Sequence, residues 1–148
     1  MEMSDEMVIP ATREVVYAAL NNPEILKKCI PGCEELTQTE ENQLEAKVVL
    51  KVGPVKARFG GKVVLDPEAP PERFSLVGEG SGGAAGFAKG GARVMLEDHA
   101  EGTLLRYETK ADIGGKLAQL GSRLVQGTAK KLAGKFFANL AETLGAEA

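Results

Sequence analysis

The chain has 148 residues, 43% of them hydrophobic and 26% charged, with a formal net charge of -3. This length fits a single domain over residues 1–148, and an acidic chain without Trp lacks the basic, aromatic-rich surface that nucleic-acid binding needs. The acidic start lacks the apolar core of a signal peptide and no run of about 18 apolar residues could span a bilayer, so we expect a cytoplasmic location.

The first predicted elements are a strand and two short helices. Apolar residues within Met1 to Ile9 predict the strand. Thr12 is a typical N-cap for a helix over Arg13 to Leu20. Asn22-Pro23 can begin a second helix, because proline at the first helical position loses no hydrogen bond. That helix should end before Pro31, since proline disfavours helical geometry in the preceding residue.

The period of the sequence then changes to two, which indicates β-strands. Alternating apolar and polar residues predict five strands, at Gln43 to Val52, Val55 to Leu65, Arg73 to Gly80, Gly90 to Asp98 and Thr103 to Ile113. In the second of these strands, Gly60-Gly61 offers a place for a bulge or a sharp coil, and Pro67 should end the strand. Because each strand has one apolar face, we expect an antiparallel meander whose inner face must be covered.

The longest predicted element is one helix over Gly114 to Leu144. Its apolar residues recur at helical spacing with Thr128 in the gap, at Leu117, Leu120, Leu124, Leu132, Phe136, Leu140 and Leu144. A helix of this length would extend about 45 Å, enough to cross a small domain. No other predicted element could cover the sheet, so the sequence predicts a sheet curved around this helix.

The opposite stripe of the predicted helix is polar and basic. The segment holds a single acid, Glu142, and five basic residues, which are Lys116, Arg123, Lys130, Lys131 and Lys135. Gln126 and Asn139 also fall on this stripe. The face is either simply solvated and paired with acidic loops, or it contacts anionic lipid or an acidic partner protein.

Small residues stand where a filled core would carry large ones. Gly121, Gly127 and Gly134 fall within the predicted helix, where each glycine costs about 1 kcal/mol relative to alanine. They require either a closely approaching backbone or room for something that is not protein. The predicted strands at 73–80 and 90–98 also carry glycine and alanine on their inner faces. We therefore predict a hollow between sheet and helix.

Several sequence segments resemble the CoxG family of carbon monoxide dehydrogenase subunits, in order along nearly the whole chain. The most specific are Cys29-Ile-Pro-Gly-Cys33, Gly82-Gly-Ala-Ala-Gly-Phe-Ala88 and Gly115-Lys-Leu-Ala-Gln-Leu-Gly121. That family belongs to the SRPBCC, or START-like, superfamily. The resemblance implies an α+β helix-grip fold, in which a seven-stranded curved antiparallel sheet wraps around a long C-terminal helix. Two short helices follow strand 1, and the fold encloses a hydrophobic cavity.

The resemblance also implies a function. Members help molybdenum-containing carbon monoxide dehydrogenases and related hydroxylases, with proposed roles in membrane recruitment and in binding a lipophilic molecule such as a quinone or isoprenoid. The expected partners are that molecule, the hydroxylase subunits and the inner face of the cell membrane, with no nucleic acid and no cofactor. Some members carry a C-terminal membrane anchor, but this chain stops at Ala148, so we do not count on permanent anchoring. The alternative is a scaffold or maturation factor without a physiological ligand.

The candidate ligand-binding residues are the large apolar and hydroxyl-bearing side chains expected around the hollow. They are Phe59, Phe74, Leu76, Phe87, Leu96, Tyr107, Thr109, Leu120, Leu124 and Thr128. The hydroxyls either orient a ligand or are satisfied by backbone and water. The glycine-rich stretch 78–91 forms either a mobile entrance or a tight hairpin with Phe87 inserted into the core.

Other chemistries find little support in the sequence. Gly78 to Gly83 matches Gly-x-Gly-x-x-Gly, but no amphipathic helix follows, which argues against dinucleotide binding. Cys29 and Cys33, with the lone His99 predicted in a turn, do not make a metal site, and we expect reduced thiols. No carboxylate pair falls on an inner face, so we assign no catalytic residue and do not expect an enzyme. A cyclase or hydrolase ranks last.

Overall fold

The computed structural model of the protein describes residues 1–146 and has the α+β architecture expected from the sequence. The elements in chain order are β1 (Glu2–Ile9), α1 (Arg13–Leu20), α2 (Pro23–Cys29), β2 (Cys33–Glu40), β3 (Gln43–Val52), β4 (Val55–Ala69), β5 (Arg73–Ser81), β6 (Phe87–His99), β7 (Gly102–Gly114), α3 (Lys116–Gln119) and α4 (Ser122–Ala146). A short 3-10 turn, Gly83–Ala85, joins β5 to β6. The predicted seven-stranded antiparallel sheet with a long C-terminal helix is confirmed.

The sheet has the order β1-β7-β6-β5-β4-β3-β2, with antiparallel pairing throughout. From β2 to β7, each strand pairs with the next strand along the chain. The last strand, β7, also pairs with β1, so the first and last strands of the chain are neighbours. The edge strand β2 was not predicted from its residues, only implied by the resemblance. Its sequence, Cys33 to Glu40, is mostly polar and exposed, and such a strand shows no apolar alternation.

The predicted bulge at Gly60-Gly61 is wrong. Gly60 pairs regularly with Lys47 on one side and with Ser81 on the other. The register shift lies further along the strand, between Asp66 and Ala69. A proline in this interval, Pro67, cannot donate a ladder hydrogen bond, so a break in pairing is tolerated there without ending the strand.

The two N-terminal helices begin and end as predicted. The backbone N–H of Val15 donates to Thr12 Oγ1 at 3.4 Å, and that of Glu24 donates to Asn22 Oδ1 at 3.0 Å. α2 ends at Cys29, so the helix stops before Ile30, the residue that precedes Pro31. These local signals are therefore sufficient to place α1 and α2.

The prediction of one helix over Gly114 to Leu144 is wrong at its beginning. Gly114 is the last residue of β7, and only the four residues of α3 follow before the chain turns again. Gly121 has φ +93°, in the left-handed region that favours glycine, and α4 starts at Ser122. With 25 residues, α4 extends about 37 Å.

The filled core lies at the C-terminal end of α4. There Leu140 and Leu144 are buried together with Ile9, Val16 and Leu105. The beginning of α4 is different, because Leu124 is 40% exposed. One face of the sheet is therefore packed tightly at one end and covered loosely at the other.

Two residues of the predicted solvent-facing stripe instead tie α4 to its neighbours. Asn139 Nδ2 donates to the Cys29 carbonyl at 3.0 Å, which joins α4 to α2. Gln126 Nε2 donates to the Glu2 carbonyl at 3.2 Å, which joins α4 to β1. The sequence pattern missed these roles because amide side chains are as common on solvated faces as at helix contacts.

Candidate functional site

The inner face of the sheet carries small residues at its centre. Strand alternation from the buried Phe74 places Gly78 and Gly80 on this face of β5, and the neighbouring strands contribute Gly61, Ala88 and Ala92. Three adjoining cavities lie over these residues, and helices line two of them.

The first cavity lies next to the packed core and has a volume of about 250 Å³. Its walls are almost wholly apolar and include Leu26, Leu44, Phe74, Tyr107 and Phe137. The rings of Tyr107 and Phe137 stack with a centroid separation of 5.3 Å, so α4 closes one side of the cavity with an aromatic pair.

The second cavity lies toward the start of α4 and has a volume of about 300 Å³. Its walls include Leu50, Val52, Phe59, Leu117 and Leu132. It is apolar like the first, and it draws its walls from the β3–β4 hairpin, α3 and α4.

The third, of about 270 Å³, is a shallow depression lined by strand residues alone. It shares Val63 and Leu76 with the first cavity and Gly80 and Ala88 with the second. The three therefore adjoin one another on the inner face of the sheet, and we call them together the trough. Its dimensions fit the range of roughly 300–1,000 Å³ that is typical of small-molecule sites.

Two predicted hydroxyl-bearing residues reach the trough. Tyr107 lines the first cavity, and its burial, with a smaller contribution from the charge of Asp5, raises the pKa of its hydroxyl. The phenol is therefore neutral at physiological pH and able to donate a hydrogen bond. Thr109 lines the third cavity, and its hydroxyl already donates to the Gly91 carbonyl at 2.8 Å. Thr128 is half-buried on α4 and does not line the three cavities.

The predicted apolar residues divide into two groups. Phe59, Phe74 and Leu76 line the trough, as their strand alternation suggested. Leu96 is only 2% exposed, but it belongs to the filled core beyond the cavities. Leu120 and Leu124 lie at the break between α3 and α4, outside the cavity walls, because the single helix that would have carried them over the sheet is interrupted.

Phe87 points away from the trough. It is 48% exposed and packs on the outer face of the sheet across from Gly114, while its neighbour Ala88 faces inward. The glycine-rich stretch forms a tight hairpin, in which Ser81 pairs with Phe87 and the Gly82 N–H donates to the Gly86 carbonyl at 2.9 Å. Phe87 therefore neither lines the trough nor inserts into the core, the position that the hairpin alternative gave it. β6 begins at Phe87 rather than at Gly90, and alternation from the inward-facing Ala92 and Val94 turns Phe87 outward.

Sequence reasoning missed the walls that come from the helices and from the α2–β2 loop. Leu26, Ile30 and Pro31 line the cavities, as does Phe137. The adjacent pair Phe136-Phe137 was the available signal, because two neighbouring aromatics on one helix widen its buried face. Contacts of the loop residues depend on distant strands and have no periodic pattern.

The five basic residues of the C-terminal segment are exposed, and within residues 1–146 they take part in no ion pair. Most cations of the sheet are paired, for example Arg58 with Glu34 at 2.7 Å and Arg106 with Glu6 at 2.9 Å. The helix is therefore the more available positive surface. In the part of the chain that the structure describes, no helix is long and apolar enough to cross a membrane.

The cysteines are free thiols. Cys29 is buried and Cys33 half-buried, and burial raises the pKa of both. They are accordingly protonated and weakly nucleophilic at neutral pH. Among the described residues there is no cluster of three or more His, Cys, Asp or Glu that could hold a metal ion.

Comparisons with known proteins agree with this architecture. A family model described as the CoxG subunit of carbon monoxide dehydrogenase matches residues 6–145. No curated protein matches the chain. A conserved protein from Geobacillus kaustophilus, of known crystal structure, is similar to it with 29% identity, a TM-score of 0.92 and coverage of 99% of this chain and 96% of its own.

More distant structures share the fold. A crystal structure of a protein from Thermus thermophilus has 21% identity, a TM-score of 0.75 and coverage of 100% of this chain and 99% of its own. A START superfamily protein from Mycobacterium smegmatis has 13% identity, a TM-score of 0.68 and coverage of 96% of this chain and 98% of its own. At these identities the likeness supports the START-like fold alone.

Proposed function

The chain belongs to the CoxG family of carbon monoxide dehydrogenase subunits, and from that premise we propose that it is a non-enzymatic binding protein. Its ligand is lipophilic, a quinone or an isoprenoid-like molecule, and occupies the trough. The loaded protein helps to recruit a molybdenum-containing carbon monoxide dehydrogenase-type hydroxylase to the membrane. The observation that carries the ligand proposal is the apolar trough on the inner face of the sheet.

The composition of the trough supports a lipophilic ligand. Gly61, Gly80 and Ala88 leave space where valine or leucine would otherwise fill the gap between sheet and helix. Apolar space without contents forfeits dispersion contacts on all sides, which a hydrocarbon chain restores. Charged side chains are absent from the walls of the first cavity among the described residues, so an ionic ligand would lose its hydration without compensation.

The trough also supports a ligand with one polar end. Tyr107 contributes its ring to an apolar wall, and burial keeps its hydroxyl neutral. We propose that this hydroxyl turns toward the ligand. A quinone carbonyl or an isoprenoid hydroxyl can accept its hydrogen bond while the apolar part lies along the third and second cavities. A few fixed polar groups in an apolar pocket are the usual means of orienting a ligand.

Filling the trough tests the proposal. Gly80→Leu places an isobutyl group in the trough, because a Cβ at Gly80 makes only ordinary contacts, 3.7 Å from the Gly60 carbonyl oxygen. We expect the affinity for ubiquinone-1, measured by titration calorimetry, to fall by at least about fivefold, since overpacking costs about 1–3 kcal/mol.

Gly60→Leu is the matched control. Gly60 lies on the outer face of the adjacent strand, with nothing within 4 Å of an added Cβ. It should leave ubiquinone-1 affinity unchanged. Equal affinity in the two variants, or no binding to the unaltered protein, would refute the ligand proposal.

A scaffold or maturation factor without a physiological ligand is the second candidate. The observation in its favour is the set of unpaired basic residues on α4, including Lys130, Lys131 and Lys135, which an acidic partner surface could engage. If the protein is only a scaffold, Gly80→Leu leaves its association with the hydroxylase intact, whatever its effect on ubiquinone-1 binding. If it is a ligand-dependent helper, Gly80→Leu weakens both.

A further inference from the structure

The tip of the β3–β4 hairpin touches the start of α4. A Cβ atom placed on Gly53 would stand 2.9 Å from Leu124 Cδ2, so the turn at Gly53-Pro54 rests against this side chain. We call residues 51–56 together with Arg123 and Leu124 the lip. The lip marks where the hairpin and α4 meet over the sheet.

The lip forms one end of the trough. Val52 is only 8% exposed and lines the second cavity, beside Leu50 of the same strand and Leu117 of α3. Its neighbour Lys51, like Lys56 across the hairpin, is exposed. The same short hairpin therefore presents apolar side chains to the trough and cations to the surroundings.

The lip is positive because both of its segments lack acids. Residues 46–65 contain no Asp or Glu, and neither do residues 113–141. Further down the hairpin, cations are paired with acids of neighbouring strands, as in Lys47 with Glu35 at 3.4 Å and Lys62 with Glu45 at 3.8 Å. Lys51, Lys56 and Arg123 take part in no ion pair within the described residues.

The lip also exposes apolar groups between its charges. Leu124 is 40% exposed and Pro54 is exposed at the turn. Lys131 follows Leu124 by seven residues and thus lies on nearly the same side of α4, which extends the positive surface along the helix. Cations around apolar side chains are the pattern of a surface that inserts shallowly into a negatively charged bilayer.

We propose that the lip docks on a bilayer containing anionic lipid and that the ligand enters the second cavity at this point. The inference rests on the proposed function, because it assumes that the trough takes a lipophilic ligand. A bilayer fits better than an acidic protein because the charges surround the end of an apolar trough, and a lipophilic ligand is dissolved in the bilayer. The lip would then transfer the ligand without exposing it to water.

Charge reversal at the hairpin tip tests the docking surface. Lys51→Glu with Lys56→Glu should weaken binding to vesicles of equal parts phosphatidylglycerol and phosphatidylcholine by at least about twenty-five-fold, since each lysine near an anionic surface contributes about fivefold. Co-sedimentation measures this binding. Lys89→Glu with Lys110→Glu is the control, because it makes the same change in net charge on exposed lysines of β6 and β7, at outward positions of those strands. Since Lys110 is paired with Glu2 at 3.4 Å, thermal unfolding verifies that this variant remains folded. We expect at most about a twofold change from it by screening of distant charges.

Hydrogen exchange on the unaltered protein provides a second measurement that needs no variant. Anionic vesicles should slow exchange in residues 51–56 and at the start of α4, and pure phosphatidylcholine vesicles should not. Failure of the unaltered protein to bind the anionic vesicles, protection elsewhere, or equal losses in the two double variants would overturn the proposal. If the protein bound an acidic protein through Lys51 and Lys56 but did not bind vesicles, the lip would be the docking surface for that partner. This result would likewise overturn the proposal.

The two proposals can fail separately. Ubiquinone-1 offered in detergent micelles reports on the trough alone, and we expect Lys51→Glu with Lys56→Glu to bind it normally. Ubiquinone-1 offered in anionic vesicles requires docking, and its uptake should be slowed in that variant. No uptake from micelles by the unaltered protein would contradict the ligand proposal, whereas normal micelle uptake with vesicle uptake independent of the lip would contradict only the docking inference.

Discussion

At the scale of single residues, Tyr107 and Tyr17 make an informative pair. Both are buried, and burial raises the pKa of both hydroxyls. Tyr107 lines the trough, whereas Tyr17 packs edge-on against Phe74 at 5.5 Å, and its hydroxyl is buried without a hydrogen-bond partner in residues 1–146. A ligand hydrogen bond should therefore depend on the first hydroxyl and not on the second.

Tyr107→Phe should weaken ubiquinone-1 binding by about fivefold, the value of one hydrogen bond of about 1 kcal/mol. Titration calorimetry measures the affinity. Tyr17→Phe is the control, and it should leave affinity unchanged and, by removing a buried unpaired hydroxyl, raise the free energy of unfolding by about 1 kcal/mol. Equal affinity in Tyr107→Phe and the unaltered protein would show that this hydroxyl does not contact the ligand.

The pH dependence follows from the raised pKa of Tyr107. Since the folded protein holds the phenol neutral, ubiquinone-1 affinity should be constant between about pH 6 and pH 9. Above the ordinary tyrosine pKa near 10, the unfolded chain ionises first, so the contribution of this group to stability is complete below that value and is lost as pH rises.

The site residues show which part of the trough could be predicted. Phe59, Phe74, Leu76 and Tyr107 follow from strand alternation, which depends only on neighbouring residues. Phe87 was misplaced because it was treated as part of the connecting loop, whereas β6 begins at this residue and strand alternation turns it outward. The walls from the α2–β2 loop are products of long-range packing.

At the scale of elements, the break before α4 decides how the helix covers the sheet. Capping signals placed α1 and α2 correctly, because they act within a few residues. The terminal helix was overextended because Leu117, Leu120 and Leu124 continue its apolar period through the break, and periodicity does not report backbone conformation. Gly121, at φ +93°, carries the information that the pattern lacks.

Two glycine substitutions test the break. Gly121→Ala should lower the free energy of unfolding by about 1–2 kcal/mol, because alanine is strained in the left-handed region. Gly127→Ala should raise it by about 0.5–1 kcal/mol, because Gly127 is inside α4 and lies in open space. An added Cβ meets nothing within 4 Å at either position, so neither substitution causes a steric clash and the two free energies can be compared directly. Urea unfolding measures both values, and a stabilising Gly121→Ala would show that the helix continues through residue 121.

The glycines of α4 do not serve to admit a neighbouring backbone, which was one of the two explanations that the sequence left open. Gly127 and Gly134 could have allowed a neighbouring backbone to approach, but nothing lies within 4 Å of an added Cβ at either residue. They face open space at exposed positions of α4. The sheet glycines are the ones that shape the trough, since Gly61 and Gly80 pair directly across β4 and β5 on the inner face.

At the scale of the whole molecule, stability and binding occupy opposite ends. The end of α4 packs with α1 and α2 in the filled core, where Leu140 is fully buried. The middle of α4 lines the trough through Leu132, Phe136 and Phe137, and its first residues form part of the lip, where Leu124 is exposed. This division allows the loosely covered end to accept a ligand while the core preserves the fold.

The overall architecture was accessible from sequence because its parts reinforce one another. Alternating strands need a cover, and the one long helix provides it. The edge strand β2 was missing from that derivation, since its polar residues make no contribution to the inner face that a pattern could detect. Its place in the sheet comes from pairing with β3, again a tertiary effect.

The central claim is that the trough holds a lipophilic molecule, and native mass spectrometry of freshly purified protein tests it most directly. The account predicts a protein ion heavier than the chain alone by one small apolar molecule, which organic extraction releases and Gly80→Leu eliminates. A protein that remains at the mass of the bare chain, even after incubation with ubiquinone-1, would contradict the account.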